Sequence, residues 1–511
     1  MIREPLIIRI DSRITSRAGG TRRSSRMAAR FVLLCVIGSL VALMIAGRVL
    51  QHRARAHREA GESQALEEGQ EIALAAAGNT LKLDHLPFAG APTEPLPGAV
   101  DEHADLYVAN SGSDANPGTA AAPFRTLQRA ADVVKAGQTV RVRPGKYIGM
   151  NFYRGIGGSP GRPIRFMADP GVVINTAARV GPNSDSGINL EAGKGWFVFS
   201  GFYIVNEDDS MERACIRVAG NDHTLILRNT CEKPGTWGII VGTSNDLLIQ
   251  GNLCVDAGRE HGLYVGRGSH RANVRGNIFR GNKGDGFHLN GGADGPIDDA
   301  VVDGNVIVAN QLSGIDADGV TNGVFRNNLV YGNGKHAVSL YNNDTRTGCS
   351  GNLFVNNTLI STRMFAILMR PGSTANRLHN NILVQAAERR EYGSIGAGGS
   401  TKGLISDYNL VVDRFSTDLG ATRLSLAQWS DLTGQDRHSI TSTAEQAFRD
   451  MAGDDYRLCD GAPGIAAGTS ASRLRELAGS DIVGTGRPPD QGLDLGAYQH
   501  QAAPRRAINK P

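Results

Sequence analysis

Cysteine is scarce in this chain, 6 in 511 residues, and aromatic side chains make up only 6%. No CxxC pair or Cys/His cluster has metal spacing, which excludes zinc ribbons, CxxC redox chemistry and a disulfide-stapled fold. Lysine is missing from the first sixty residues, where twelve Arg face three acids for a balance of +9; the other 451 residues therefore carry −5 of the formal net +4. Without a basic face, the bulk of the chain is not built to bind nucleic acid. Glycine, by contrast, is abundant at 65 residues, and the hydrophobic content of 41% is that of a globular protein, so the glycines mark tight turns and not disorder.

One apolar run stands apart. "FVLLCVIGSLVALMIAG", residues 31–47, carries no charge and lies between eight Arg on its leading side and Arg48, Arg53, Arg55 and Arg58 beyond it. At seventeen residues it is at the short limit of a membrane span. The leading Arg excess places residues 1–30 in the cytoplasm as a basic tail, 31–50 in a bacterial-type inner membrane and the rest in the periplasm. Translation from Met27 in place of Met1 gives instead a short signal peptide, with "ARA" at 54–56 as its cleavage site and a secreted product. Both readings put the remainder outside the cytoplasm.

Residues 51–103, rich in Ala, Glu and Pro, read as a linker. Order begins at "ADLYVANSGSDANPGTAAAPFRTLQRAADVVKAGQTVRVRPGKY", which predicts a strand, a turn and an amphipathic helix over Thr126–Val134 with Phe124, Leu127, Ala131 and Val134 on its apolar face. A repeat follows. Asn recurs at 229, 252, 277, 305, 328, 357 and 381, at intervals of 23 to 29 residues. Nine or ten residues after each of the first six comes Gly238, Gly262, Gly286, Gly314, Ala337 or Ala366, then an apolar–variable–apolar triplet. Such a period, with short alternating strands, is that of a β-solenoid whose coils bury their apolar faces by stacking. The Asn column reads as a hydrogen-bonded ladder between coils, over a β-helix at 104–385 and a C-terminal extension and closing segment at 386–511.

In each triplet the first and third residues point inward, and the second and fourth positions outward. The second gives Ile240, Tyr264, His288, Asp316, Ser339 and Leu368; the fourth gives Gly242, Gly266, Asn290, Asp318, Tyr341 and Arg370. Cys231 and Cys254 share an inward column with apolar residues and read as neighbouring buried thiols, within disulfide reach in principle. Trp196, Trp237 and Trp429 read as packed side chains or sugar platforms, and Asp114, Asp169 and Asp303 as turn or surface residues.

The chain at this point resembles right-handed parallel β-helix proteins of the pectate-lyase-like superfamily, across roughly residues 104–500. The quoted strand-and-helix passage is similar to their N-terminal strand and capping helix. "DYRLCDGAPGIAAGT" is similar to a C-terminal segment in which the family has Asp where Ala466 stands. The resemblance implies an all-β parallel β-helix, here preceded by one transmembrane helix, and an acidic polysaccharide as partner. "GDGFHL" at 284–289 resembles the Asp-Asp-Gly-Phe-Asp-Leu of family-nine pectate lyases, which holds calcium beside a catalytic Lys on the next coil. Here Gly284 and His288 replace two of those Asp and Asp316 takes the approximate place of the Lys, so the resemblance fixes no cofactor and leaves calcium as a disfavoured alternative. The Tyr/Asp/His combination is more similar to mannuronan C5-epimerases, without their Asp-Pro-His motif.

Removing the C5 proton of a uronic acid takes a base, an acid and a cation for the carboxylate. Tyr264, Asp285, His288 and Asp316 are the expected catalytic group. His261, Arg267, Lys283, Asn290, Asp318, Tyr341 and Arg370 are the expected substrate-binding group, and the metal ligands are left open. The expected reaction is β-elimination or C5 epimerisation. A single Asp or His on such a face is usually just solvated; what marks these is confinement to the middle coils, between Ile240 and Leu368. Two alternatives remain: a non-catalytic β-helix that binds or guides an exopolysaccharide, and a glycoside hydrolase using a pair among Asp285, Asp316 and Asp318.

Overall fold

The computed structural model describes residues 104–501 except 192, 294, 346, 388–390, 400 and 490. The basic tail, the apolar segment at 31–50 and the linker fall outside the described residues, among which no helix is long and apolar enough to cross a membrane. Three parallel sheets of 12, 11 and 12 strands run the length of the described chain, each strand pairing with its counterparts one coil before and one coil after. The inward positions form the core: Ile239, Leu263, Phe287, Ile315, Val338 and Ile367 are in register and at most 1% exposed.

Polar groups at the coil corners are satisfied between coils. Asn229, Asn252, Asn277, Asn305, Asn328, Asn357 and Asn381 are buried, and each Nδ2 donates to the next Oδ1 at 2.9 to 3.1 Å, with Asn409 closing the series. A second ladder, Asn282 to Asn310 to Asn333, runs five residues further along each coil. Buried amides that pair with the same residue type in the next coil, and with backbone groups of neighbouring coils, fix coil register as well as adding stability.

The corner glycines are set by space. A Cβ at Gly286 would lie 2.2 Å from Ile307 Cγ2, and one at Gly314 2.2 Å from Val330 Cγ1. Gly286→Ala should therefore lower stability by about 1–3 kcal/mol, the usual range for overpacking. Gly242→Ala, with nothing within 4 Å, should be close to neutral. Urea unfolding midpoints of the two variants check this.

The N-terminal helix spans Leu127–Val133, N-capped by Thr126, whose hydroxyl accepts the Arg129 N–H. It buries Leu127, Ala130 and Ala131 and lies against Leu106–Val108 and Met150–Phe152, the end strands of two sheets. Asp114 accepts the N–H groups of Arg125 and Thr126, a turn role. Asp169 and Asp303 pair with Arg141 and Arg326. Cys231 and Cys254 are in register as buried free thiols. At the other end, the segment around 466–500 folds back on the coils: buried Arg487 donates to Asp494 O, Gly496 O and Asn327 Oδ1. Trp429 is fully buried, with its Nε1 donating to Asp436.

Candidate active site

Strand register on the 11-stranded sheet puts Tyr264, His288, Asp316 and Ser339 in one file on four successive coils, and Gly266, Asn290, Asp318 and Tyr341 in a parallel one. The turn before each strand adds His261, Asp285, Ser313 and His336. Period-two alternation turns these side chains away from the core, and coil stacking brings them together.

The bonds between them start from a fixed donor. The Asp285 backbone N–H points at His261 Nδ1, 2.9 Å away. Gly284 makes that approach possible, since a Cβ there would sit 2.7 Å from the same nitrogen. A neutral imidazole that accepts at Nδ1 carries its proton on Nε2. His261 Nε2–H therefore donates to His288 Nδ1, at 3.1 Å. His288 Nε2–H in turn donates to the Tyr341 hydroxyl, at 3.0 Å. The phenol lies near enough to the Asp316 carboxyl for the two to influence each other's protonation. At the other end Asp285 Oδ1 accepts the Ser313 N–H, and Oδ2 lies 3.2 Å from His261 Nδ1, where it would stabilise an imidazolium. One backbone N–H thus sets the direction of a chain from His261 through His288 and Tyr341 to Asp316.

The environment holds this chain in a defined protonation state. Burial, reinforced by neighbouring His261, pushes His288 down to about 4, so it is neutral at pH 7. Burial, and next Asp285, raise Asp316 well above the ordinary carboxylate range, against hydrogen bonds from Ser339 and Tyr341 and the charge of Lys335. Tyr341 and Tyr264 are both raised, chiefly by burial. His336 is likewise held down to about 4 by burial. At pH 7 burial thus leaves His288 neutral and shifts Asp316 and Tyr341 towards their protonated forms.

These shifts set opposite pH trends in stability. His288 and His336 bind protons more readily unfolded than folded, so each costs stability as pH falls from about 6.5 towards about 4. Asp316 binds its proton more readily folded, so its stabilising contribution appears on acidification and is lost as pH rises through its raised value. Asp316→Asn, a neutral mimic of the protonated acid, should therefore melt at or above wild type at pH 7 by a margin that shrinks from pH 7 to pH 5, as thermal melts would record.

The aromatic rings extend the face. Tyr264 lies 5.3 Å from His288 and 6.0 Å from Trp237 between ring centroids, which places Trp237 at the edge of the cluster as a partly exposed platform. Gly266 leaves room for the Tyr264 ring, which a Cβ there would meet at 2.5 Å. Arg267 is exposed and acts electrostatically on Tyr264. Arg370 is exposed and acts on His336. Lys283 is exposed in its turn and makes no ion pair among the described residues.

The fourth column corrects the sequence expectation. Asn290, Asp318 and Tyr341 were placed facing solvent, yet all three are buried, Asp318 completely. The segment after Tyr341 folds over them. Asp318 Oδ1 accepts the Thr345 hydroxyl, Oδ2 accepts the Asp344 N–H, and Asn290 donates to Asp344 Oδ2. Gly319, at φ +66°, leaves the space Thr345 occupies. Asp318 thus anchors this segment. In the second column Ser339 and Leu368 are also covered. Lys335 and His336 were missed, although His336 precedes Ala337 as His261 and Asp285 precede their glycines.

His261, Asp285 and His288 bring their ligating atoms within 4.8 Å of one another. They do not fit calcium, which takes six to eight oxygen ligands, because two of the three groups offer nitrogen and Asp285 Oδ1 is bonded to Ser313.

Residues 106–352 match the family model described as Pel9A-like, right handed beta helix region. The matched coils form a right-handed parallel β-helix. Among solved structures the chain is similar to pectate lyase Pel9A, at 17% identity and a TM-score of 0.42, covering 78% of this chain and 96% of that one. It is also similar to the periplasmic alginate epimerase AlgG, at 14% and 0.40, covering 63% and 83%. A third is the Azotobacter vinelandii mannuronan C-5 epimerase AlgE6 A-module, at 14% and 0.39, covering 60% and 90%. At these identities the likeness concerns the fold. No curated protein matches the sequence. The β-helix accounts for the coils, the ladders and the corner glycines, and requires none of His261, Asp285, His288 or Tyr341.

Proposed function

We propose that this β-helix acts on a uronate-containing polysaccharide outside the cytoplasm, by β-elimination or C5 epimerisation, on the face formed by Tyr264, His288, Asp316 and Tyr341. The observation that carries the reading is the directed hydrogen-bonded chain from His261 through His288 and Tyr341 to Asp316, with Asp285 behind it, across four coils. Such a chain holds and moves a proton between a carboxyl group and an imidazole, which is what C5 proton exchange needs. Asp316 and Tyr341 form one side of the acid–base pair and Tyr264 the other. Trp237 and Tyr264 offer ring faces to a sugar, and Lys335 and Arg370 supply positive charge near the reacting carboxylate.

The hydrolase reading loses support. Asp318 has both oxygens bonded and is fully buried, and Asp285 is 2% exposed with one oxygen on a backbone N–H, so neither offers an open carboxylate to a glycosidic bond. Anchoring through residues 31–50 is part of the proposal and accords with the apolar run between its Arg flanks. Incubation with polygalacturonate and polymannuronate tests the activity: ultraviolet absorbance of an unsaturated product reports elimination, and proton NMR of C5 configuration reports epimerisation. Binding without either supports a non-catalytic polysaccharide-binding protein.

A further inference from the structure

Two ring nitrogens from adjacent coils meet on the outer face of the 11-stranded sheet. His261 Nε2 and His288 Nδ1 lie 3.1 Å apart, and His261 Nε2 is also 3.6 Å from Glu260 Oε2. Four ligands held at the roughly 2.0–2.1 Å of zinc–nitrogen bonds stand about 3.4 Å from one another in a tetrahedron. Both separations therefore suit atoms that share one metal ion.

The surrounding groups support that use. Behind His261, Asp285 Oδ2 stands 3.2 Å from Nδ1, on a side chain only 3% exposed. This is the place of the carboxylate that holds a metal-bound imidazole by its other N–H. On the open side the Glu260 side chain is 47% exposed, and His288 is itself only half-buried, so an ion has a path from solvent to the two nitrogens. Strand register pairs Leu263 with Phe287 and Tyr264 with His288, which sets the spacing of the two coils before any ion arrives.

We infer that His261 and His288, backed by Asp285, form a site for a first-row divalent ion such as zinc or cobalt, with Glu260 as a third ligand and water completing the shell. Imidazole nitrogens select such an ion over magnesium or calcium, which take oxygen. The ion enters the relay's own hydrogen bond. In the metal-free chain the His261 proton is on Nε2; with an ion there it moves to Nδ1, and a small turn of the ring exchanges the Asp285 N–H, 2.9 Å away, for Asp285 Oδ2. His261 keeps its single proton, and His288 Nδ1 gives its lone pair to the ion. The bound ion is thus a reversible inhibitor of proton transfer along the face. That consequence rests on the function proposed above; the site rests on the geometry.

Titration of the full chain with Co2+, followed by visible absorption, reports stoichiometry and ligand geometry without any substrate. The expected result is one Co2+ per chain with the intense bands of a four-coordinate site, displaced by Zn2+ and not by Ca2+. His288→Gln should abolish the bands. Asp285→Asn should weaken binding about 10- to 100-fold, the usual effect of losing a carboxylate behind a metal-bound imidazole. Glu260→Gln, at an exposed position where the fold should be kept, should weaken it as well. No saturable binding below about 100 μM, or binding that His288→Gln and Glu260→Gln both leave unchanged, overturns the site. Displacement of Co2+ by Ca2+ at similar concentration overturns the class of ion. With a polyuronate as substrate, saturating Zn2+ should lower turnover at least about tenfold and a chelator should restore it, because a positioned proton-transfer group is lost. Unchanged or faster turnover with the ion bound overturns the inhibition. Co2+ bands without turnover of any polyuronate reject the proposed function alone, and turnover without Co2+ binding rejects the metal site alone.

Discussion

Tyr341→Phe should lower turnover of a uronate polymer by about 100- to 10,000-fold, the range for losing a positioned acid–base group. The substitution removes one oxygen and leaves the ring in a position that is only 8% exposed, so the fold should survive. It breaks the chain at one point: His288 Nε2–H loses its acceptor and Asp316 loses a donor. His288→Gln interrupts the same chain one step earlier, and the double variant should be little worse than either single one, because a severed relay cannot be severed twice. An additive double effect would mean that the two residues act separately. Activity should also decline in acid as His288, held down to about 4, takes up a proton and loses the lone pair that accepts from His261.

Asp318→Ala should act on stability. Its carboxylate accepts the Asp344 N–H and the Thr345 hydroxyl in a fully buried setting, and removing it leaves those donors without an acceptor. A loss of about 3 kcal/mol is expected, at the upper end for a buried hydrogen-bonded group. Asp318→Asn, which keeps an acceptor oxygen, should recover a large part. Amide hydrogen exchange should show residues 342–345 opening faster in Asp318→Ala while the inner coils stay protected. Retained stability with lost substrate binding would instead return Asp318 to the binding set in which the sequence placed it.

That reversal shows how far the repeat can be read. Two periods, one of two residues within a strand and one of 23 to 29 between coils, were enough to put Tyr264, His288 and Asp316 in a single file, and the register agrees residue by residue. The Asn ladder was legible for the same reason. Its companion at Asn282, Asn310 and Asn333 follows at an offset of five and has the same periodicity. Alternation says which way a side chain leaves the sheet but not what lies over it. Asp318 leaves the sheet outward as expected and is then covered by residues that follow Tyr341 in an irregular stretch with no periodicity to read. The contact between Tyr341 and His288 was also out of reach. It joins different columns two coils apart, and depends on ring length and on the direction of donation that the Asp285 N–H imposes.

The chain belongs to a fold that builds long polar faces cheaply, so polar residues on it are weak evidence by themselves. A directed chain through two imidazoles, a phenol and a carboxyl group is stronger, because the coil has no structural need of it and because burying His288 and Asp316 costs stability that packing alone would not repay.

The most direct test of the central claim is time-resolved proton NMR of polygalacturonate and polymannuronate incubated with the full chain and, in parallel, with its His288→Gln variant. The account predicts that the wild-type chain converts one of them, giving either an unsaturated end or an inverted C5, and that conversion falls at least about 100-fold in the variant while its melting temperature is retained. Equal conversion by both proteins would contradict the site, and conversion of neither polymer by the wild-type chain would contradict the assigned chemistry.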